Sequence, residues 1–596
     1  MGMMETGIRE NPDNQILRRL FRKGEISYTI SDLSKAVGPM IDLMFVALFI
    51  GPDGVTVMGY VAPLIMLFEL IGTTISSGAR NKVSVLIGQG EADEANRAFS
   101  SSLLMGGGLS ILTALLVLIF CRIVSLALGA RDPVIGKMTM QYIYGYLVGY
   151  PFFTLIRILA PYLQMEGRFR RVTTVSILTT VIDIAADALV IFVFRRSMLG
   201  IGFATSLGYI IPFFVSAAFF AGRKRRAAFR FSFKGFSPKL CGEMLRYGAP
   251  SGIVKGSNAL GGVLINNMLT ALSMPYLVAA TGVFSQITVF FRSSWYAPAD
   301  TMHAFAGVLI GEEDRNSLKE TQKMSLRHAL LYTGIVTVFL FAAAELLALV
   351  FLKSRDFSGL GLAAECIRIS CLSLPFHAII YNFNNYLMAA KKLRFCSIYS
   401  FLIECGVLVP VTFIMIQLFG YRGAWVAKIV NMLILTGIAV VYISLQKGQR
   451  FTDKMLMLGE GFGISEEDEI VMIASSTQEI QELSRIAVAF AMEHGAGKKR
   501  ALNYGLITEE LSVVLSEHGF SDGRPHHIHA RLVAKDEDLI VRIRDDCRPF
   551  NVTEYYELVK DDPDVGKEIS LSIIMKMAKD VKYTTTFGAN NLIVRI

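Results

Sequence analysis

Apolar runs long enough to cross a bilayer recur through most of this chain and leave few folds open to it. A hydrocarbon core of about 30 Å takes about 20 helical residues. Such runs lie near 29–50, 56–78, 98–128, 138–162, 171–194 and 200–222, and again near 243–270, 277–305, 325–352, 362–389, 396–418 and 421–445. The expectation is a polytopic α-helical membrane protein of about twelve helices in two six-helix lobes, 29–222 and 243–446. An N-terminal segment precedes them at 1–28, and a basic loop joins them within 223–242. A polar linker at 447–468 then leads to a small α/β domain at 469–596.

Composition agrees: 53% of residues are hydrophobic and only 18% charged, with a mean hydropathy of +0.48, far from an ordinary soluble enzyme. The net charge of +9 does not argue for nucleic acid, because Lys and Arg gather in loops between the apolar runs. EGRFRR at 166–171, the 221–239 loop, KKLRF at 391–395 and QKGQRFTDK at 446–454 are basic. GPDG at 51–54 and SMPY at 273–276 are not, and Arg195 and Arg196 depart from the pattern. The positive-inside rule then puts both termini in the cytoplasm. The polar, basic first segment is not a cleavable signal peptide. Seven cysteines, at 121, 241, 366, 371, 396, 405 and 547, lack metal-ligand spacing and read as small packing residues.

Three carboxylates interrupt the apolar runs. Asp42 lies in GPMIDLMFVALFI, and Asp183 and Asp187 lie in SILTTVIDIAADALVIFV. A charge at the centre of a membrane helix costs about 2.5–3.5 kcal/mol on insertion scales, so three of them predict an ion or proton site. Asp183 and Asp187 are four residues apart and share one helix face. Two acids that close cannot easily ionise together, which favours holding at least one proton near neutral pH. Glu69, Lys255 and Arg292 are also expected inside the membrane, as a pair across the lobes or as groups facing substrate. Asn382, Asn384 and Asn385 read as helix-packing polar residues.

The halves echo each other. EGRFRRVTTVSILTTVIDIAADALVIFVFRRSMLGIGFATS aligns with AKKLRFCSIYSFLIECGVLVPVTFIMIQLFGYRGAWVAK, setting Glu404 opposite Asp183. GYVAPLIMLFEL at 59 matches GVFSQITVFFRS at 282, setting Glu69 opposite Arg292. Internal duplication is common in secondary transporters, whose sites lie between the repeats near the midplane.

GPMIDLMFVALFIGPDGVTVMGYVAP…GTTISSGARNKVSVLIGQG resembles the first two helices of the multidrug and toxic compound extrusion (MATE) family. TTVIDIAADALVIF…GIGFATS resembles its fifth and sixth helices, and the resemblance covers about 25–446. It implies two lobes forming a V, alternating access, and antiport of an organic substrate against H⁺ or Na⁺ without a cofactor. It assigns cation coupling to Asp42 and Asp187, with Thr205 as a polar position on the sixth helix. Asp183 stands where the family usually has Asn.

The last 125 or so residues alternate as strand, two amphipathic helices, strand hairpin, helix and two strands. EELSVVLSEHG, DDCRPFNV and GKEISLSIIMKMAKDVKY…FGANNLIV resemble the GHKL ATPase fold, specifically anti-sigma-factor serine kinases. The resemblance makes Glu510 the kinase base and places Asp545 and Asn551 in the nucleotide-binding stretch. Val514 replaces the magnesium-binding Asn and cannot coordinate a metal. Cys547 replaces the Gly of Asp-x-Gly within Asp545-Asp546-Cys547, and Ser570 occupies a normal Gly position in the phosphate lid, hindering close backbone approach. The expectation is no kinase activity, little or no ATP–Mg²⁺ binding, and a regulatory or partner-docking role.

The leading reading is therefore a multidrug-type antiporter in a bacterial plasma membrane, not an enzyme, with a small-molecule substrate and a cytoplasmic regulatory protein as its partners. A membrane sensor acting on a sigma-factor pathway, or a flippase for lipid-linked saccharides, is the alternative. The cavity residues under either reading are Glu69, Lys255, Arg292 and Glu404.

Overall fold

The computed structural model describes residues 15–193, 197–221, 229–274, 277–352, 357–446, 454–458, 462–465, 467–474, 476–519, 527–535, 537–545, 547, 550–559 and 569–596. Arg195, Arg196 and Asp546 fall outside the described residues, as do most of the lid ahead of Ser570 and most of the basic loop.

The first lobe comprises α1 (Gln15–Phe49), α2 (Pro52–Gly88), α3 (Ala92–Ile119), α4 (Cys121–Ala127), α5 (Pro133–Met165), α6 (Phe169–Phe192) and α7 (Met198–Ala221). The second comprises α8 (Pro238–Ala271), α9 (Leu277–Phe291), α10 (Ser293–Gly311), α11 (Arg315–Ala342), α12 (Ala344–Leu352), α13 (Phe357–Cys371), α14 (Leu374–Ala389), α15 (Leu393–Phe401), α16 (Leu408–Phe419) and α17 (Gly423–Ser444). Taken with their breaks they make the expected two lobes of six membrane-crossing units. The second lobe is the more interrupted. Its 277–305 span breaks at Arg292, α13 and α14 meet at a 47° bend, and a π-turn at Leu402–Gly406 separates α15 from α16.

Glycine lets the lobes touch backbone to backbone. A Cβ on Gly78 of α2 would sit 1.8 Å from the Met244 carbonyl oxygen of α8, and one on Gly248 1.8 Å from that of Thr74. Farther along α2, a Cβ on Gly88 would lie 2.1 Å from the Val308 carbonyl oxygen of α10. Among the described residues, the ion pairs joining the lobes lie at Glu69, midway along α2, or nearer the end that carries the C-terminal domain: Glu69–Lys255, Asp32–Arg292, Arg80–Asp300, Lys82–Glu243, Glu25–His328 and Arg18–Glu320. Apolar packing divides the same way. One core runs through both lobes at the domain end, whereas Val57, Val61, Leu64 and Phe68 of α2 pack only within the first lobe toward the far end. The cleft is thus closed on the domain side.

Residues 15–28 pack as part of the first helix. α1 starts at Gln15, and Ile16, Leu17, Leu20 and Phe21 are buried in the core shared by the lobes. Part of the 447–468 linker is likewise bound in place, with Leu456 and Met457 buried and the Tyr386 hydroxyl donating to the Leu456 carbonyl at 2.8 Å.

The C-terminal domain is an antiparallel sheet in the order β1-β2-β3-β5-β4: β1 Glu469–Ala474, β2 Ile528–Lys535, β3 Asp538–Asp545, β4 Asp580–Thr586 and β5 Ala589–Arg595. Period-2 alternation divides its faces. Ile528, Leu532, Val541, Ile543, Leu592 and Val594 join a core with Phe490, Tyr504, Ile507, Leu511 and Ile574 of the helices. The helix Thr477–Glu493 opens on a capping box, Ser476 with Glu479, which satisfies two free backbone donors. The opposite face carries His529, Arg531, Lys535, Arg542 and Arg544 and lies against the lobes.

His529 is buried there beside Arg531, Arg544 and Asp314. Burial, reinforced by Arg544 and Arg531, pushes its imidazole down to about 4, whereas an unfolded histidine titrates near about 6.5. Between those values the unfolded chain binds the extra proton, so this group's stabilisation is complete above about pH 6.5 and is lost as pH falls toward 4. His529→Gln should flatten the fall in melting temperature between about pH 6.5 and 4.5. Parallel wild-type and variant profiles would show that His529 does not titrate this way.

Candidate functional site

Asp42 of α1 and Asp183 and Asp187 of α6 are buried in the far half of the first lobe. Helical periodicity puts both α6 acids on the face toward α1 and α7, and two glycines let those helices close in. A Cβ on Gly38 of α1 would stand 3.5 Å from Asp183 Oδ2, and one on Gly208 of α7 3.1 Å from Asp183 Cβ. The Asp42 and Asp187 carboxyls approach closely enough to interact, and the Thr205 hydroxyl faces Asp183. Tyr142 of α5 reaches Thr205, and Tyr209 of α7 lies near Asp42 and Asp183. No sequence signal had singled out these tyrosines.

Asp42 Oδ1, Asp183 Oδ1 and both Asp187 carboxyl oxygens are buried without a hydrogen-bond partner among the described residues. An ionised carboxylate so placed is strongly disfavoured, so the arrangement calls for a proton or a cation. No group of three or more His, Cys, Asp or Glu among the described residues is compact enough to hold a metal ion. The acids instead form two adjoining half-sites, Asp42 with Asp187 and Asp183 with Thr205.

Glu69 does not meet Arg292. It pairs with Arg157 at 3.0 Å and Lys255 at 2.9 Å, and Arg157 also donates to the Thr73 hydroxyl at 2.9 Å. Arg292 pairs across the cleft with Asp32 at 3.3 Å and lies over the Tyr296 ring. Repeat alignment gives equivalent positions in the two lobes, and equivalent positions need not touch. Asp32, Arg80, Asp300 and His303 were missed, although each is an ionisable residue inside an apolar run, the same signal that marked the triad.

Glu404 sits in the π-turn of the second lobe. It accepts 2.7 Å from Asn258 Nδ2 and 2.5 Å from the Tyr381 hydroxyl. π-turns inside helices frequently mark functional positions. Unlike Asp183, its counterpart in the repeat, this acid is fully engaged by hydrogen bonds. Asn382 accepts from Ser325, and Asn384 accepts 3.2 Å from Ser400, in helix-packing roles.

In the C-terminal domain Glu510 and Val514 lie half-buried on one helix, Lys498–Gly519. Asp545 Oδ1 accepts from the Cys547 amide at 3.0 Å and from Asn590 Nδ2 at 2.6 Å. Asn551 Oδ1 accepts from the Thr553 hydroxyl at 2.7 Å and amide at 3.1 Å, capping the helix Val552–Val559. Asp545 Oδ1 and Asn551 Oδ1, both in the nucleotide-binding stretch, are thus taken up by internal bonds. An isolated 465–596 domain, which has its own apolar core, should keep its melting temperature in millimolar Mg-ATP, because a ligand at its Kd stabilises by only about 0.4 kcal/mol. Several degrees of stabilisation would establish a working nucleotide site.

Two helical lobes around a polar, charge-paired cleft define a membrane transporter. The MatE family model matches residues 29–189 and 250–414, together more than half of the chain, and the chain belongs to that family. Multidrug export protein MepA of Staphylococcus saprophyticus is 21% identical over 437 residues, covering 72% of this chain and 94% of that protein. MepA of Staphylococcus aureus is 20% identical over 420 residues, covering 70% and 91%. Among solved structures, a MATE protein in complex with MaL6 superposes with a TM-score of 0.68 at 17% identity, covering 72% of this chain and 98% of that one. An outward-facing multidrug resistance MATE family transporter gives a TM-score of 0.67 at 17% identity over 73% and 98%. The protein is accordingly an efflux transporter of the membrane, and not an enzyme.

Proposed function

We propose that this protein is an antiporter that exports an organic cationic or amphipathic molecule against H⁺ or Na⁺ by alternating access, with both termini in the cytoplasm. The observation that carries this reading is the set of unpartnered buried oxygens on Asp42, Asp183 and Asp187. Binding a proton or Na⁺ would satisfy them, and releasing it would leave buried charge, so occupancy and conformation become coupled. The names of the MepA relatives support a drug-like substrate. The basic loops on the domain side support its cytoplasmic placement.

The cleft cations favour efflux of a cation over flipping of an anionic lipid-linked sugar, because Lys35, Arg157, Lys255 and Arg292 are paired with Asp32 or Glu69. The C-terminal domain, a GHKL-like fold with lost ligand positions, acts as a regulator or docking module. Purified protein in liposomes should export organic cations when an inward H⁺ or Na⁺ gradient is imposed. Transport indifferent to both gradients would overturn the antiport reading.

A further inference from the structure

The hairpin joining β4 to β5 ends in Phe587-Gly588, whose φ angles of 55° and 86° are those of a type I′ turn. Asn-Gly or Asp-Gly is the usual choice for that turn, because both residues need positive φ. Phenylalanine is a poor turn residue there, and a hairpin tip would ordinarily expose it. Here the ring is only 4% exposed. It stacks on Phe305 of the second lobe with centroids 4.0 Å apart and lies parallel to Phe169 of the first lobe at 6.4 Å. The Phe587 amide donates to the Met165 carbonyl of α5. A Cβ on Gly167 would lie 2.2 Å from the Gly588 nitrogen, so the tip is seated against first-lobe backbone.

The sheet beside this tip grips both lobes. Arg544 pairs with Glu312 at 2.5 Å, Lys535 with Glu313 at 2.6 Å, and Arg531 donates to the Glu312 and Glu313 carbonyls at 3.0 and 3.1 Å, all on the second lobe just past the end of α10. Lys582 pairs with Glu91 at 2.8 Å and Arg542 donates to the Gly88 carbonyl at 3.4 Å, on the first lobe at the end of α2. Carbonyls at helix C-termini carry the negative end of the helix dipole, so the cationic face meets acidic side chains and dipole ends on both lobes. These are the helix ends that touch at Gly88 and Gly311.

We propose that the C-terminal domain is a state-selective clamp, with Phe587 as a wedge between the lobes and the basic sheet face as their bridge, which holds the transporter closed on the cytoplasmic side. Strands paired over six to eight residues form a rigid body. It can keep Glu91 and Glu312 together only while the ends of α2 and α10 touch, so cytoplasmic opening must release one lobe. The interface suits release. Around the aromatic wedge its contacts are ion pairs and hydrogen bonds, the polar character that transient interfaces carry, and beside it lies a cavity of about 1380 Å³ lined by Arg18, Lys319, Arg531 and Arg542 and by the acids Glu320 and Glu469 among others.

The clamp rests on the alternating-access reading for its consequence, but its test does not need transport. Spin labels on Asp93→Cys of the first lobe and Arg394→Cys of the second would report cytoplasmic separation in the full chain in lipid nanodiscs; the seven native cysteines are buried. Phe587→Asn installs the favoured turn residue and removes only the wedge. It should raise the long-distance population about fivefold or more. Arg544→Glu should do the same, and adding Glu312→Arg should reverse it. A distance distribution unchanged in both single variants would overturn the clamp. A shift in a protein that moves no substrate would support the clamp and overturn the transport reading instead.

Discussion

Asp42→Asn and Asp187→Asn should each abolish gradient-driven export while leaving insertion and folding intact. Each change keeps the side-chain shape but removes the ionisable group from the half-site where the two carboxyls approach each other. An amide keeps the hydrogen-bonding capacity of a carboxyl toward its neighbour across α1 and α6, so the substitution should not destabilise the lobe. A structural pair would behave in the opposite way, losing melting temperature before losing transport. Wild-type export rates in either variant, in liposomes with an imposed gradient, would remove the triad from the coupling mechanism. Asp183→Asn should be milder. It leaves the Asp42–Asp187 half-site whole and alters the one at Thr205, so the expected result is export with a displaced pH profile or changed ion preference.

The lobes were legible because membrane helices announce themselves by length and hydropathy, and the acids because they violate that rule. The same physics explains what was missed. Helices α2, α3, α5, α6, α7, α11 and the α15–α17 stretch are apolar enough to pass as spans by composition alone, whereas α1, α8 and α10 are not. Those three carry Asp32 and Lys35, Lys255, and Asp300 and His303, and they line the closed cleft. Polar residues that weaken the local signal are the ones that join the lobes. Their partners, such as Glu69 for Lys255, Asp32 for Arg292 or His328 for Glu25, lie up to 303 residues away, and no periodicity encodes a pairing at that distance. In the C-terminal domain the strand pattern was readable from alternation. The purpose of its second face was not, because Arg531, Arg542 and Arg544 read as ordinary solvated positions until the lobes are set against them.

Glu69→Gln should be among the most destabilising single changes in the cleft. Glu69 stands between Arg157 and Lys255, so an uncharged side chain leaves two cations facing each other across the lobe boundary. Removing one partner of a fully buried pair costs about 3–5 kcal/mol. The Lys255 side chain is 35% exposed, so solvent screening brings the expected loss down to about 1–3 kcal/mol. Because Lys255 belongs to the second lobe and Arg157 to the first, the loss falls on the closed arrangement of the lobes, and cytoplasmic opening should become easier. Adding Lys255→Gln relieves the repulsion, so the double variant should be more stable than Glu69→Gln alone, with a coupling energy of about 1 kcal/mol or more from thermal unfolding in lipid. Strict additivity of the two changes would show that the pair does not hold the lobes together, and the closed state would then have to rest on the glycine contacts and the clamp.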